Sequence, residues 1–214
     1  MSERKIVVIS AGLSTPSSTR MLADRLLNAA LEELSEKGIE TTTKTFELRD
    51  YAHQLTDNML AGFAPKELES MLESVYEADA LIAVTPIFST SYSGLFKMFI
   101  DVLDPDRMKN KVVLLGANAG TARHSLAIDY AIRPIFAYLH SEVVSTGVFA
   151  ASSDWGDNSD SVAPLGKRIA SGAKEFANAI AAKEPLKVLD PFDPESYLGG
   201  GQSFSHLLGG LAGK

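Results

Sequence analysis

The chain has 214 residues, 45% of them hydrophobic and 22% charged, which suits one globular α/β unit with an ordinary core. Its net charge of −7 argues against a broad basic surface for nucleic acid or anionic lipid. Cysteine is absent, so disulfides, a thiol nucleophile and thiolate metal sites are excluded together.

The first element is "KIVVIS", residues 5–10, a short run rich in β-branched residues that reads as a buried strand. It is too short for a signal-peptide core, and no apolar stretch approaches the roughly 18 residues of a spanning helix. A cytoplasmic protein is expected. A loop crowded with hydroxyls follows: Ser10, Ser14, Thr15, Ser17, Ser18 and Thr19, with Gly12 among them. Helical periodicity then begins at Ser17, with Leu22, Leu26, Ala30 and Leu34 on one face and Gly38 as the C-terminal stop.

The Thr-rich alternation of 39–48 predicts a second strand, near an edge. Pro65 opens a helix carrying Leu68, Met71, Leu72 and Val75 on one side. Further strands are read at 80–86, 111–117 and 142–150, with helices at 93–103, 124–139 and 161–183. Five strands alternating with helices predict a parallel sheet covered on both faces, a doubly wound three-layer α/β fold. The segment 185–214 is rich in Pro and Gly and lacks a period. It reads as an arm or tail appended to a domain of residues 1–184.

In an open α/β sheet, ligands sit at the carboxyl ends of the strands where the strand order reverses, which points to the hydroxyl loop. Neither G-x-G-x-x-G nor G-x-x-x-x-G-K-[ST] occurs there. Hydroxyls and backbone N–H groups at a helix start can still enclose a phosphate that is held and not transferred. Ser17 or Ser18 also suits an ordinary N-cap. After the third strand, "TPIFSTSYSGLFKMFIDVL" (85–103) reads as an extended loop that offers backbone groups to a flat heterocycle, bordered by Phe88 and Tyr92. After the fourth, "GANAGTARH" (116–124) lets backbone approach a ligand closely at Gly116 and Gly120, with Arg123 and His124 adding polar groups.

These three loops together resemble the NADPH-dependent FMN reductase family of flavodoxin-like flavoproteins. "STPSSTRMLA" is similar to the family's phosphate loop, "TPIFSTSYSGLFKMFID" to its T-P-E-Y-N-x-S-x-x-G-x-L-K-N motif, and "GANAGTARHS" to its Gly-rich loop. The run from Thr121 to Gly156 resembles the branch that accompanies luciferase-like monooxygenases. Ile87 stands where the second motif usually has an acid, Met98 where it has Asn, and Arg123–His124 where a Gly pair is common.

The resemblance implies a five-stranded parallel sheet in the order 2-1-3-4-5, bound FMN, and hydride transfer from NADPH or NADH without a catalytic side chain or a metal. It places the flavin against Ser10, Ser17, Ser18, Thr19 and Arg20, then Pro86, Ile87, Phe88, Ser89, Thr90 and Ser91, then Asn118, Ala119, Gly120, Thr121, Arg123 and His124. It also implies a homodimer or homotetramer, with the "SDWGD" loop carrying Trp155 as one candidate contact, and a flavin-dependent monooxygenase as functional partner.

The residues disfavour several rivals. No G-x-S-x-G elbow is present, and His53, His124, His140 and His206 lack metal-ligand spacing. An FMN-containing quinone or azo-dye reductase remains the nearest enzymatic alternative. A flavodoxin-type electron carrier is the non-enzyme alternative, although Arg20, Arg123 and His124 suit an incoming NADPH phosphate better than a carrier's acidic rim.

Overall fold

A computed structural model describes residues 3–155 and 164–186. β1 (Arg4–Ser10) is central, flanked by β2 (Thr41–Glu47) and β3 (Ala80–Phe88), both parallel to it. β4 (Ser91–Tyr92) folds back on β3 as an antiparallel hairpin. β5 (Val112–Ala119) pairs in parallel with β3, and β6 (Glu142–Val143) and β7 (Val148–Ala151) both pair with β5. The resulting order β2-β1-β3-β5-β6 is the doubly wound order expected, but among the described residues the sheet has seven strands and not five. The two additions have separate causes. A tight turn creates β4, and the expected fifth strand divides into β6 and β7 because the chain leaves the ladder after the Val144 N–H bonds the Val113 carbonyl and rejoins it at Val148.

Alternation along the central strands divides the core into two layers, since successive side chains point to opposite faces. Ile6, Val8, Ile82, Val84, Val112 and Leu114 face α1 (Ser18–Glu36) and α7 (Leu165–Ala181). Val7, Ile9, Leu81, Ala83, Val113 and Leu115 face the opposite layer. That layer holds α2 (Ala52–Ala61), α3 (Lys66–Glu77), α4 (Gly94–Asp101) and α6 (Arg133–Tyr138), after the short α5 (Pro105–Met108). Helix α2 adds little to the core: Leu55 is buried, while Met59 and Leu60 are exposed.

The single helix expected at 124–139 is instead a 3₁₀ turn (Ala122–His124), a π-helical turn (Ile128–Ile132) and then α6. Pro134 offers no N–H to the Tyr130 carbonyl and crowds it, and the helix is wide just ahead of that point. The C-terminal arm expected at 185–214 lies outside the described residues apart from Pro185 and Leu186. No described helix is long and apolar enough to cross a membrane.

Lys111, 2% exposed, precedes the interior strand β5 at the end of the sheet opposite the hydroxyl loop. Its Nζ donates to the Tyr76 carbonyl at 3.2 Å and to the Ala78 carbonyl, so an ammonium caps the end of α3. Burial pushes its pKa down from 10.5 to about 8, with Asp79 opposing. Between those two values the unfolded chain holds a proton that the folded chain does not, so this residue's contribution makes stability rise with pH from about 8 to 10.5. Urea melts are expected to show the wild type gaining about 2 kcal/mol on Lys111→Met across that window. Parallel pH profiles for the two proteins would contradict it.

Candidate functional site

The loops after β1, β3 and β5 emerge side by side, because Ser10 is in register with Val84 and Pro86 with Asn118. The first begins at Ala11, whose N–H still donates to the Val84 carbonyl at 2.9 Å. It ends at Ser17, the N-cap of α1, whose Oγ accepts from the Arg20 N–H at 3.2 Å. That bond uses an acceptor site of the hydroxyl and leaves its proton free to donate. The Ser18 and Thr19 N–H groups open the helix, where intrahelical partners do not exist and the dipole is positive. Thr19 is buried and its hydroxyl donates to Asn118 Oδ1 at 2.8 Å, tying the first loop's helix to the third loop.

Two features of this loop fit an anionic group held from inside the chain. Ser10 Oγ is fully buried without a hydrogen-bond partner among the described residues. A Cβ added to Gly12 would lie 2.1 Å from Ser17 Oγ and 3.0 Å from Thr19 Cβ, so a side chain there would fill the cradle beside the helix start. The cap expected of Ser17 and the tight space beside Gly12 are therefore one structure.

The second loop is not extended. Ser89 and Thr90 both take positive φ (48° and 70°), and the pairing of Phe88 with Ser91 makes a two-residue hairpin turn. Buried Thr85 and Ser93 brace its base: the Thr85 hydroxyl accepts from the Ser93 N–H at 3.2 Å, and Ser93 Oγ caps α4 by accepting from the Phe96 N–H. Ile87 turns its side chain into the core, so only its backbone can face the rim, while Phe88 is exposed. The Tyr130 hydroxyl, on the π-helical turn, donates to the Thr90 carbonyl at 2.6 Å and fixes the hairpin tip. Nothing in the periodicity of 124–139 marked Tyr130.

The third loop starts later than expected, since β5 runs to Ala119 and carries Asn118. Gly116 lies inside the strand, and a Cβ there would meet Leu26 and Val84 side chains at 3.0 Å. Its role is close packing of α1 on the sheet, not ligand approach. Gly120 has open space around it and is exposed with Thr121, Arg123 and Leu126; His124 is partly exposed.

The basic residues divide. Arg20 turns toward β2, its Nε 2.8 Å from Asp24 and Nη1 3.1 Å from Glu47, and these carboxylates raise its pKa further. Arg123 is exposed and has no ion pair among the described residues. Sequence reasoning missed Arg49, which donates to the Ser14 carbonyl and to the Thr15 hydroxyl of the first loop. No motif marks it, since it reaches the site from the 3₁₀ turn (Leu48–Tyr51) that follows the neighbouring strand β2. Trp155 stacks against Arg25 of the same chain, 5.0 Å from guanidinium carbon to ring centre. Among the described residues no cluster of His, Asp or Glu could hold a metal ion.

Comparison with known proteins accords with this geometry. The model of the NADPH-dependent FMN reductase family matches residues 4–156. The FMN reductase (NADPH) of Pseudomonas aeruginosa is 31% identical over 182 residues, covering 85% of this chain and 95% of that protein. The NADH-dependent FMN reductase SfnF of Pseudomonas fluorescens is 33% identical over 173 residues, covering 81% and 90%. The X-ray structure of an oxidoreductase from Corynebacterium diphtheriae superimposes with a TM-score of 0.81 at 42% identity, covering 85% of this chain and 99% of that one.

Proposed function

Since the chain belongs to the NADPH-dependent FMN reductase family, we propose that it is an NAD(P)H:FMN oxidoreductase that releases reduced FMN to a flavin-dependent monooxygenase. The observation that carries the flavin assignment is the cradle at Gly12, Ser17 and the start of α1, with its unpartnered Ser10 hydroxyl. Residues 10 and 17–20 would hold the 5′-phosphate, and backbone groups of 86–91 and 118–121 the ring. What FMN supplies when bound is acceptance of a hydride from a nicotinamide. The chain's part is to hold and orient. Thr19 and Asn118 fix the two outer loops to each other, and Tyr130 fixes the hairpin between them. No side-chain acid or nucleophile is required of it.

Release of the flavin is supported by an open rim and the absence of cysteine as a covalent anchor. Assembly as a homodimer or homotetramer is supported by exposed Phe88, Leu126 and Tyr130 around the rim. It is also supported by an apolar groove of about 570 Å³ between α4 and α6, lined by Ile100, Leu103, Pro134, Ile135 and Tyr138. Closed symmetry would cover both. The reading places the enzyme in the cytoplasm, with its pyridine-nucleotide donors.

The deciding experiment supplies NADPH and free FMN anaerobically and separates small molecules from protein by rapid gel filtration. Reduced FMN is expected in the small-molecule fraction in proportion to NADPH consumed. Quantitative retention on the protein, with ping-pong kinetics toward quinones, would instead make it a quinone or azo-dye reductase. The same assay tests donor choice. Because Arg20 is committed to two carboxylates, Arg123 is the candidate for the donor's 2′-phosphate. Arg123→Ala is expected to lower the NADPH-to-NADH ratio of kcat/KM about tenfold. An unchanged ratio would remove Arg123 from that role.

A further inference from the structure

Glu47 and Arg49 stand at the end of β2, outside every motif on which the flavin assignment rests. Arg49 Nη1 donates to the Ser14 carbonyl at 2.8 Å and to the Thr15 hydroxyl, both in the loop after β1. Its Nη2 lies 2.9 Å from Glu47 Oε2. The other Glu47 oxygen accepts from Arg20 Nη1 at 3.1 Å, and Arg20 Nε reaches Asp24 at 2.8 Å. A line of alternating charges, Asp24–Arg20–Glu47–Arg49, therefore runs from α1 past the end of β2 to the middle of the loop. Glu47 is well sheltered, its side chain 15% exposed, so its charge attraction to both arginines is poorly screened, although Oε2 approaches Arg49 as an ion pair without hydrogen-bond geometry.

The loop needs this support. Leu13, Ser14, Thr15 and Pro16 are all exposed, and within them only the Ser14 hydroxyl bonds locally, to the Pro16 carbonyl at 2.9 Å. Among the described residues, the hydrogen bonds that tie 13–16 to another element come from Arg49. A guanidinium suits the task because one rigid fork serves two loop acceptors and a carboxylate at once.

We propose that Arg49 is a positioning residue that holds the loop of residues 12–17 in its anion-accepting shape, oriented by Glu47. The proposal rests on the reading that this loop takes the flavin 5′-phosphate. A loop ordered before binding does not have to be ordered by the ligand, so the gain falls on phosphate affinity and not on hydride transfer.

The test is fluorescence titration of the full-length protein with FMN and with riboflavin, which lacks the phosphate. It is paired with amide exchange of residues 12–17 in flavin-free protein. Arg49→Met is expected to raise the Kd for FMN about tenfold. Riboflavin affinity and kcat at saturating FMN should stay within about twofold, and loop exchange should accelerate. Glu47→Gln should act in the same direction by about threefold, and covers the case in which Arg49→Met folds poorly. Lys44→Met is the control, since it removes from nearby β2 a positive charge whose hydrogen bond goes to Ser74, at 3.1 Å, and not to the loop.

Equal loss of FMN and riboflavin, a Lys44→Met effect as large as that of Arg49→Met, or unchanged loop exchange would each overturn the proposal. A wild type with no preference for FMN over riboflavin would sink the phosphate reading itself. The exchange measurement would still report separately whether Arg49 orders the loop.

Discussion

Gly12→Ala is expected to weaken FMN binding by a hundredfold or more while leaving the sheet intact. The new Cβ would stand 2.1 Å from Ser17 Oγ, a distance no real contact allows, with Thr19 Cβ at 3.0 Å closing the other side. Ser17 must swing away, and two things fail together. The N-cap of α1 is lost, at a cost of about 1 kcal/mol of stability. The hydroxyl and the space for a phosphate are lost too, and a charge-assisted hydrogen bond alone is worth about 1.5–3 kcal/mol. The double variant Gly12→Ala with Ser17→Gly separates the terms. It removes the clashing hydroxyl, so the melting temperature should recover toward that of Ser17→Gly alone, whereas FMN affinity should not. If Gly12→Ala binds FMN as the wild type does, the phosphate is held somewhere other than this cradle.

Phe136→Ala is expected to be the most damaging of these substitutions to stability, at about 3–5 kcal/mol. Phe136 is fully buried on α6, with its ring centre 6.4 Å from that of Phe96 on α4, and Phe96 in turn is 6.1 Å from Tyr92 in the hairpin. A domain's entire margin is only about 5–15 kcal/mol, so the loss takes about a fifth of it or more. The damage should also have a location. The aromatic line supports the hairpin from below while Tyr130 holds its tip, so amide exchange should quicken first in residues 86–92. Urea denaturation gives the magnitude, and Phe63→Ser is the comparison, since Phe63 is 69% exposed and should change stability by less than about 0.5 kcal/mol. A uniform rise in exchange across the whole sheet would mean that Phe136 serves the global core and not the hairpin.

Both expectations rest on residues of different legibility. Ser17 could be singled out from sequence because it sits between a buried apolar run and a helical period, whereas the importance of Gly12 showed only in its closeness to Ser17 and Thr19. Phe136 was visible as an apolar residue, but its aromatic partners lie 40 and 44 positions earlier in the chain. Adjacency at such separations is not encoded in any local period.

The same division runs through the molecule. Its sequence determined by itself whatever depends on short-range pattern. Continuous aliphatic runs mark strands buried on both faces, as at Ile6–Ile9 and Leu81–Val84, and the 3.6-residue period marks α1, α3 and α7. Hydroxyls and glycines between them mark the loops on which the proposed flavin site rests. Only the tertiary structure decided that residues 85–92 form a hairpin, because Ser89 and Thr90 adopt a positive φ that neither residue favours by itself. Packing likewise decided that Gly116 serves the helix–sheet contact and that the last strand divides in two. It also decided the fate of the arginines. Arg20 follows the phosphate motif yet turns toward Asp24 and Glu47, while Arg49, without a motif, reaches the loop. Long charged side chains have many rotamers of similar energy, and the pairing of Arg20 with Asp24 on its own helix is completed only by Glu47, at the end of β2, which the sheet brings alongside. Their destinations therefore become fixed only when the sheet assembles.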